Sequence, residues 1–366
     1  MPEQARNPTD FMRRALELAE RGRGCVEPNP MVGAVAVRDG RIVGEGFHAR
    51  FGGPHAEPVA VAAAGEACRG ATLYVTLEPC AHYGKTPPCV PAVLAAGFTR
   101  VVAAMTDPDP HNQGRGIEQL RAAGVEVETG LLEAEAQRLN APFVKLATRG
   151  LPFVTAKWAM SLDGKTATRT GDSRWVSSAP SRELVHTLRG QVDALLVGIG
   201  TVLADDPLLT ARPPGPRTAV RIVADSQARL PLDSQLAQTV KQAPVLAATT
   251  EAAPAERRGA LQAAGVEVLL LPAEAGRVSL RALLAELGRR RMSNVLLEGG
   301  GELAAAALAG GLVDKLLVFV APKVLGGRDA PTPAGGEGVA TVAQAIRARE
   351  WASRRVGDDI LIEAWL

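Results

Sequence analysis

The chain has 366 residues, of which 46% are hydrophobic and 22% are charged, and its formal net charge is +2. This is a globular composition, with length enough for two domains. The small net charge argues against binding to nucleic acid or a membrane surface, and the sequence has no 18-residue apolar run that would predict a transmembrane helix.

The first half is predicted to be an α/β structure layered around one mixed sheet. Its start, "MPEQARNPTDFMRRALELAERG", indicates an amphipathic helix and not a signal peptide, because it lacks an apolar segment. We therefore expect a reduced, cytoplasmic protein, in which four cysteines serve as metal ligands or core residues. Helices are predicted at residues 9–22, 55–66, 87–96 and 114–123, and strands at "NPMVGAVAV", "RIVGEGF", "ATLYVTL", "RVVAAM" and "VEVETG".

A single linking helix is predicted at residues 131–148, and Gly150 and Pro152 mark the end of the first half. The sequence therefore predicts two domains, residues 1–148 and 149–366. The second is again α/β, with helices at 278–291 and 302–309, a loop at 330–338, and strands at "PFVTAKWAM", "ALLVG", "RIVAD", "APVLAAT", "VEVLLL", "NVLLEG" and "KLLVFVAPKVL".

Four residues of the first half form a pattern typical of a catalytic zinc site. His55 and Glu57 begin a helix, Cys80 follows a strand, and Cys89 begins another helix. One imidazole and two thiolates leave the fourth position of a tetrahedral zinc ion open for water, and Glu57 would move protons. H-x-E followed by P-C-x-x-C is the signature of zinc nucleobase deaminases, although the two cysteines here are nine residues apart.

Other interpretations of these residues are open. An isolated H-x-E is common, and the two cysteines could be buried as apolar residues. His82 could complete a four-ligand structural zinc site, but Glu57 would then have no task. Cys25 and Cys68 have no partner pattern. His111 and His186 are predicted to be ordinary polar residues.

Nearly the whole chain resembles the bifunctional riboflavin-biosynthesis deaminase–reductase family. The first half carries "PNPMVGAVAV", "GFHARFGGPHAE", "LEPCAHYGKTPPC" and "MTDPDP", and the second carries "AMSLDGKTA", "SRWVSS", "GTVLADDPLLTAR" and "LLEGGGEL". The nine-residue cysteine spacing with "GKTPP" is specific to this family among zinc deaminases. The chain departs from the family at Asp109, where Asn is usual, and in the "HNQG" that follows.

The resemblance implies a cytidine-deaminase-like α/β/α sandwich followed by a dihydrofolate-reductase-like α/β domain. It implies one Zn²⁺ per chain, held by His55, Cys80 and Cys89, with Glu57 catalytic. The first reaction would deaminate 2,5-diamino-6-ribosylamino-4(3H)-pyrimidinone 5′-phosphate. By resemblance, its substrate lies near Asn29, His48, Lys85, Thr86, Asp107 and Asp109, although Asn29 could equally be a turn residue.

The second reaction would reduce the ribosyl group to ribityl with NADPH. No G-x-G-x-x-G follows the first strand, so a Rossmann site is not predicted, whereas "LLEGGGEL" offers backbone N–H groups at a helix start. By resemblance, the cofactor lies along Ala159, Trp175, Thr201, Asp205, Ser226, Gly300, Gly301, Glu302, Leu303, Ala304, Ala305 and Ala306. The substrate would be held by Ser173, Arg189, Leu209, Arg212 and Glu298. The alternative for either arginine is a solvated surface charge. Lys157 lies inside an apolar strand, and we expect it to line the substrate pocket as a catalytic residue.

Two other functions compete with this one. A nucleic-acid base deaminase with an accessory domain would show a basic surface and the short cysteine spacing. A non-catalytic, zinc-stabilised binding protein is the third class. We expect a small phosphorylated pyrimidine as the ligand, no nucleic acid or membrane partner, and a homo-oligomer, either a dimer or a tetramer.

Overall fold

A computed structural model describes residues 7–366, which separate into two compact units between Gly150 and Leu151. The first unit has helices α1 (Pro8–Glu20), α2 (Ala56–Ala64), α3 (Cys89–Ala95), α4 (Arg115–Ala122), α5 (Glu133–Leu139) and α6 (Ala141–Arg149). Its strands are β1 (Gly33–Arg38), β2 (Arg41–Phe47), β3 (Thr72–Val75), β4 (Arg100–Ala103) and β5 (Glu126–Thr129). They form one sheet in the order β2-β1-β3-β4-β5, antiparallel at β2-β1-β3 and parallel from β3 to β5, as predicted for a mixed sheet.

Glycines let two helices pack directly on opposite faces of this sheet. A Cβ on Gly33 would lie 1.9 Å from the carbonyl oxygen of Ala15 in α1, and a Cβ on Gly46 would lie 2.3 Å from that of Ala56 in α2. Gly46 pairs with Ala34, the neighbour of Gly33, so the two glycines face opposite sides of the sheet. The unit is therefore an α/β/α sandwich, which is the fold that the resemblance implied.

The second unit is built on a nine-stranded sheet in the order β10-β9-β8-β7-β13-β6-β14-β16-β15, with a two-stranded ribbon β11-β12 beside it. Its strands are β6 (Phe153–Ser161), β7 (Ala194–Gly198), β8 (Val220–Ala224), β9 (Val245–Thr249), β10 (Glu267–Leu270), β11 (Ala273–Glu274), β12 (Arg277–Val278), β13 (Asn294–Glu298), β14 (Lys315–Ala321), β15 (Glu350–Val356) and β16 (Asp359–Trp365). The helices are α7 (Ala179–Arg189), α8 (Ile199–Asp205), α9 (Gln235–Gln238), α10 (Ala255–Ala263), α11 (Leu280–Arg289) and α12 (Gly301–Ala309).

Both faces of the parallel part of this sheet are covered by helices. In β7, Leu195 and Val197 pack with the α9 and α10 side, whereas Leu196 packs with the α11 and α12 side. Strand β7 lies between β8 and β13 and is parallel to both. The carboxyl ends of the three strands, at Ala224, Gly198 and Glu298, therefore lie at the same edge of the sheet. Ligands of open α/β sheets bind at this edge. No helix within residues 7–366 is long and apolar enough to span a bilayer.

The predicted linking helix at 131–148 is wrong, because the chain forms two helices that break at Asn140. The Asn140 side chain accepts a hydrogen bond from Met31 N at 2.8 Å and donates one to Met31 O at 2.9 Å. These contacts with a distant loop hold Asn140 outside helical geometry, with φ −98° and ψ 16°, and the next helix begins at Ala141 with Pro142 in its first turn. Strands β15 and β16 were not predicted.

Candidate functional site

Three metal-binding side chains converge in the first unit. His55 caps the N-terminus of α2, Cys80 lies in the loop after β3, and Cys89 is the first residue of α3. The backbone N–H groups of Cys89 and Val90 donate to Cys80 O at 3.0 and 3.2 Å, which closes the loop between the cysteines. The ligand atoms of the three side chains all lie within 4.8 Å of one another.

The distances in this group suit a tetrahedral zinc ion. His55 Nδ1 is 3.2 Å from Cys89 Sγ and 3.5 Å from Cys80 Sγ. Zn–N bonds of about 2.0–2.1 Å and Zn–S bonds of about 2.3 Å separate two tetrahedral ligands by roughly 3.5 Å. Thr86 Oγ1 lies 3.1 Å from His55 Nε2 and holds the ring with Nδ1 toward the sulfurs. His82 is exposed and lies outside the group, so it does not complete a four-ligand site.

The two thiols and Glu57 are electrostatically linked. A hydrogen bond from Cys89, with a further contribution from His55, lowers the pKa of Cys80 to about 4. The same bond and burial raise the pKa of Cys89, so the pair carries one thiolate and one proton, and a metal ion would displace that proton. Burial, together with the nearby Cys80 thiolate, raises the pKa of Glu57 to about 7. A carboxyl group with that pKa can both take up and release a proton near neutral pH.

Two other predicted residues of the first unit, His48 and Asn29, lie beside this group. His48 is buried, and its Nδ1 is 2.9 Å from Pro54 O, so this nitrogen carries the proton and donates. Its Nε2 therefore accepts from Asn29 Nδ2 at 3.5 Å, and its ring contacts that of His55 with centroids 5.2 Å apart. Lys85 Nζ lies 4.0 Å from the centre of the Phe51 ring.

Asp107 and Asp109 occupy a loop in which each carboxylate already has partners. Burial raises the pKa of Asp107 to about 6, and its oxygens accept from Asp109 N at 2.9 Å and Asn112 Nδ2 at 3.0 Å. Asp109 Oδ1 accepts from His111 N at 3.0 Å and lies 2.8 Å from His111 Nδ1. The Asp109 side chain is thus held by the residue two positions later.

Two residues that support this loop were missed in the sequence. Glu78 is buried and accepts four backbone N–H groups, from Asp107 and Gly114 at 3.0 Å, Gly116 at 2.9 Å and Ile117 at 3.3 Å. Fully buried Asn112 accepts from Ala81 N at 2.8 Å in addition to its bond with Asp107, and so joins the Cys80 loop to Asp107. The available signal for Glu78 was an acidic residue within the apolar run "YVTLEPC".

A second cluster lies at the carboxyl end of β13. Arg189 donates from Nε to Glu298 Oε1 at 2.7 Å and from its terminal nitrogen to Oε2 at 2.8 Å. Lys157 pairs in register with Glu298 on the neighbouring strand, and its Nζ is 5.7 Å from the centre of the Phe319 ring. Burial lowers the pKa of Lys157, although Glu298 opposes that effect. Burial would raise the pKa of Glu298, but the Arg189 guanidinium lowers it to about 2.

The remaining predicted substrate residues lie in loops. Leu209 is buried with φ +53°, Arg212 is exposed, and Ser173 O accepts from Val176 N at 3.1 Å. A cavity of about 230 Å³ is lined in part by Arg189 and Leu209. Arg221, which was missed, is fully buried and donates to Leu208 O at 3.1 Å, and therefore supports this loop.

A larger cavity of about 440 Å³ lies where β7 and β8 end and α12 begins. Four predicted cofactor residues line it, namely Ser226, Glu302, Leu303 and Ala306. Gly300, at φ +71°, caps α12, and a Cβ there would lie 3.2 Å from Thr201 Oγ1, so these two predicted residues are neighbours. A Cβ on Gly301 would lie 2.6 Å from Thr332 O, because residues 332–335 approach the helix start.

The other predicted cofactor residues do not line this cavity. Ala304 is buried in the apolar core, and Ala305 faces Gly336. Asp205 O accepts from Arg174 at 2.9 Å. Ala159 packs against the α7 side of the sheet, and exposed Trp175 lies under the Arg182 guanidinium at 4.5 Å.

Comparisons with known proteins match both halves of the chain. The family profile described as "RibD C-terminal domain" matches residues 152–362, and "Cytidine and deoxycytidylate deaminase zinc-binding region" matches residues 5–105. "Riboflavin biosynthesis protein RibD" of Actinobacillus pleuropneumoniae is 44% identical over 97% of this chain and 94% of its own length. The RibD of Aquifex aeolicus (strain VF5) is 41% identical over 96% of this chain and 97% of its own.

Solved structures of similar proteins also match nearly the whole chain. Acinetobacter baumannii RibD, form 1, superposes with a TM-score of 0.85 at 37% identity, covering 98% of each chain. A Thermotoga maritima structure described as a diaminohydroxyphosphoribosylaminopyrimidine deaminase/5-amino-6-(5-phosphoribosylamino)uracil reductase has a TM-score of 0.84 at 37% identity, also over 98% of each chain.

Proposed function

The chain belongs to the RibD family of bifunctional deaminases and reductases of riboflavin biosynthesis, and from this membership we propose how its own residues carry the two reactions. Residues 1–148 would deaminate 2,5-diamino-6-ribosylamino-4(3H)-pyrimidinone 5′-phosphate. Residues 149–366 would then reduce the ribosyl group of the product to ribityl with NADPH. The match over 97% of the chain favours this function over a nucleic-acid base deaminase with an accessory domain.

The convergence of His55, Cys80 and Cys89 beside Glu57 is the observation that carries the deaminase assignment. Zinc, when bound by these three ligands, lowers the pKa of a water in its fourth position and so prepares that water to attack the ring carbon. Glu57 is two residues from a ligand, buried, and has a pKa of about 7. It would take up the proton that the water gives up and pass it to the adjacent ring nitrogen, and then carry the remaining hydroxyl proton to the amine, so that the ring carbon becomes a carbonyl and ammonia leaves.

Residues around the metal group would bind the pyrimidine. His48 is a neutral imidazole with its proton on Nδ1, and with Asn29 it offers a polar edge next to His55. Lys85, Thr86, Asp107 and Asp109 complete the proposed set. Because Asp107 is buried with a pKa near 6, its carboxyl can donate or accept a hydrogen bond according to pH.

Lys157 and Glu298 are the proposed centre of the reductase. NADPH, when bound, supplies the hydride that is added to C1′ of the sugar. The ring oxygen O4′ must then receive a proton as its bond to C1′ breaks, and Lys157 is proposed to donate it. Burial lowers the pKa of Lys157, which favours release of that proton, and the neighbouring Glu298 carboxylate offsets the cost of keeping the ammonium buried.

Arg212 is the better candidate for the 5′-phosphate of the two predicted arginines. The Arg189 guanidinium is already bonded to both oxygens of Glu298, whereas Arg212 is exposed beside the Leu209 loop. A free guanidinium fork matches two phosphate oxygens. Ser173 and Leu209 remain proposed substrate contacts.

The cofactor is proposed to lie along the 440 Å³ cavity and the start of α12. Ser226, Glu302, Leu303 and Ala306 line it, and Gly300 and Thr201 adjoin each other at the N-terminus of the helix. Gly301, Ala304 and Ala305 could contribute only backbone groups or small surfaces. Ala159, Trp175 and Asp205 remain proposed contacts outside the cavity.

A homo-oligomer in the cytoplasm is also proposed. β15 is the last strand of its sheet, it is exposed from Glu350 to Arg355, and it carries Trp351 at 68% exposure. A long edge strand with an exposed aromatic residue is a ready site for pairing with a second copy.

A reducing compartment is proposed because thiols that bind zinc must stay reduced.

One incubation tests both activities. The purified protein is supplied with the diaminopyrimidine 5′-phosphate, with and without NADPH, and the products are identified by chromatography and mass spectrometry. We expect ammonia and the deaminated ribosyl compound without NADPH, and the ribityl compound with it. An unchanged substrate would contradict the deaminase assignment, and a deaminated product that NADPH does not convert would contradict the reductase assignment.

A further inference from the structure

The 440 Å³ cavity is lined by two arginines that the proposed reaction does not use. Arg229 lies in the loop after β8, and Arg277 lies in the ribbon β11-β12. Both line the cavity together with Ser226 and Gln227. Their side chains are 47% and 65% exposed, so both guanidinium groups are accessible to a ligand in the cavity.

Neither of these two guanidinium groups forms a short, buried ion pair with a carboxylate. Arg229 Nε is 4.0 Å from Asp225 Oδ1, beyond hydrogen-bond distance. Arg277 is 3.1 Å from Glu302, whose side chain is itself 64% exposed, and such exposed pairs contribute little energy. The lining of the cavity thus includes two arginines and one acidic side chain, that of Glu302.

Ser226 adds a hydroxyl group to the same cavity lining. Its Oγ accepts a hydrogen bond from Val278 N at 2.9 Å, which ties the ribbon to the loop after β8. Because the oxygen accepts that bond, the hydroxyl proton remains available to donate to a ligand. Two guanidinium forks and one hydroxyl form a donor-only set, which suits a phosphate dianion.

The same loop offers no carboxylate to the cavity. In the dinucleotide-binding Rossmann fold, an acidic side chain accepts hydrogen bonds from the ribose hydroxyl of NAD. Asp225 is the only acidic residue at the end of β8, and it is fully buried and accepts from Leu230 N at 2.8 Å. Its side chain therefore organises the loop and is not available to a ribose.

We propose that Arg229 and Arg277, with the Ser226 hydroxyl, bind the 2′-phosphate of NADPH and thereby select NADPH over NADH. The assignment rests on the proposed reductase function and on its cofactor lying along this cavity. The 2′-phosphate then bonds to both arginines, whereas the 2′-hydroxyl of NADH would leave them without an anionic partner.

Equilibrium binding to the full-length protein tests this assignment without turnover. The dissociation constants of NADPH, NADH, adenosine 2′,5′-bisphosphate and 5′-AMP are measured by calorimetry for the wild type, Arg229→Leu, Arg277→Leu and the double variant. Arg281→Leu is the matched control, because Arg281 is exposed near Arg277 but donates to Gly310 O at 3.1 Å and does not line the cavity.

Each single variant is expected to weaken NADPH and the bisphosphate about tenfold to a hundredfold, and to leave NADH and 5′-AMP within about twofold. The control should bind all four ligands like the wild type. Equal losses for NADPH and NADH, or no loss at all, would overturn the 2′-phosphate assignment and leave the reductase proposal standing. A wild type that binds neither dinucleotide would overturn both.

Discussion

Arg189 and Glu298 form a buried, two-pronged ion pair, with donor–acceptor distances of 2.7 and 2.8 Å and side-chain exposures of 15% and 8%. Both residues were predicted to bind substrate, and the structure shows that they first bind each other. Arg189 keeps Glu298 ionised beside Lys157, and the pair therefore links the stability of the second unit to the proposed reaction.

The pair is expected to stabilise the protein in a defined range of pH. The pKa of Glu298 is lowered to about 2, below its usual value of about 4.3, so its contribution is present above about pH 4.3 and disappears as the pH falls through about 2. Glu298→Gln should lower the free energy of unfolding by about 3 kcal/mol at pH 7, because it leaves Arg189 buried without a counter-charge.

Urea unfolding can isolate this effect, because all four tryptophans (Trp158, Trp175, Trp351 and Trp365) lie in the second unit and their fluorescence reports on it alone. The difference between wild type and variant should shrink steadily from pH 4.5 to pH 2. A difference that is constant over this range would show that the charge of Glu298 does not stabilise the fold.

One zinc ion per chain is expected to copurify with the protein, held by His55, Cys80 and Cys89. Glu57→Gln should keep the metal and lose deamination, because the carboxylate moves protons and does not bind zinc. His82→Ala serves as the control and should keep the metal, since His82 lies outside the ligand group. Atomic absorption measures the metal content, and a loss with His82→Ala as complete as with Cys80→Ala would refute the three-ligand site.

Separating the halves between Thr148 and Leu151 is expected to give two folded fragments, each with one activity. Each unit has its own sheet and its own apolar core. Circular dichroism and thermal melting of each fragment provide the measurement. If neither fragment melts cooperatively, the two units depend on each other for folding.

Gly300→Val is expected to raise the dissociation constant of NADPH about a hundredfold and leave deamination unchanged. Gly300 has φ +71°, which a β-branched residue rarely adopts, and its new Cβ would press on Thr201 Oγ1 at 3.2 Å. Gly311→Val is the matched control, because Gly311 has a similar φ of +62° but open space around it at the far end of α12. Equal effects of the two variants on NADPH binding would assign the loss to general strain.

Asn112→Ala is expected to raise the KM of deamination several-fold with a smaller change in kcat. The Asn112 side chain joins Ala81 N to the Asp107 carboxylate, so its loss frees the proposed substrate loop without touching the metal ligands. Exposed Gln113→Ala is the control. Zinc content should stay at the wild-type value, and a loss of zinc would show that Asn112 instead maintains the metal site.

The zinc group could be predicted from the sequence because few residue types bind zinc, and here they occur beside predicted helix starts and strand ends. Glu78 and Asn112 escaped prediction because they act on backbone groups up to 39 positions away, which no local pattern reveals. The break at Asn140 has the same origin, in a contact across 109 positions. β15 was missed because six of its seven residues are exposed, and it therefore shows no apolar alternation.

The close contact of Gly46 with Ala56 has a consequence for the metal centre. Ala56 follows His55 and precedes Glu57, and the backbone of the sheet touches the helix at that residue, where even one methyl group would leave only 2.3 Å. The closeness of His55 and Glu57 to the sheet is thus set by a main-chain contact, and any larger side chain at Gly46 would push the start of this helix, with its metal ligand and its proton carrier, away from the sheet.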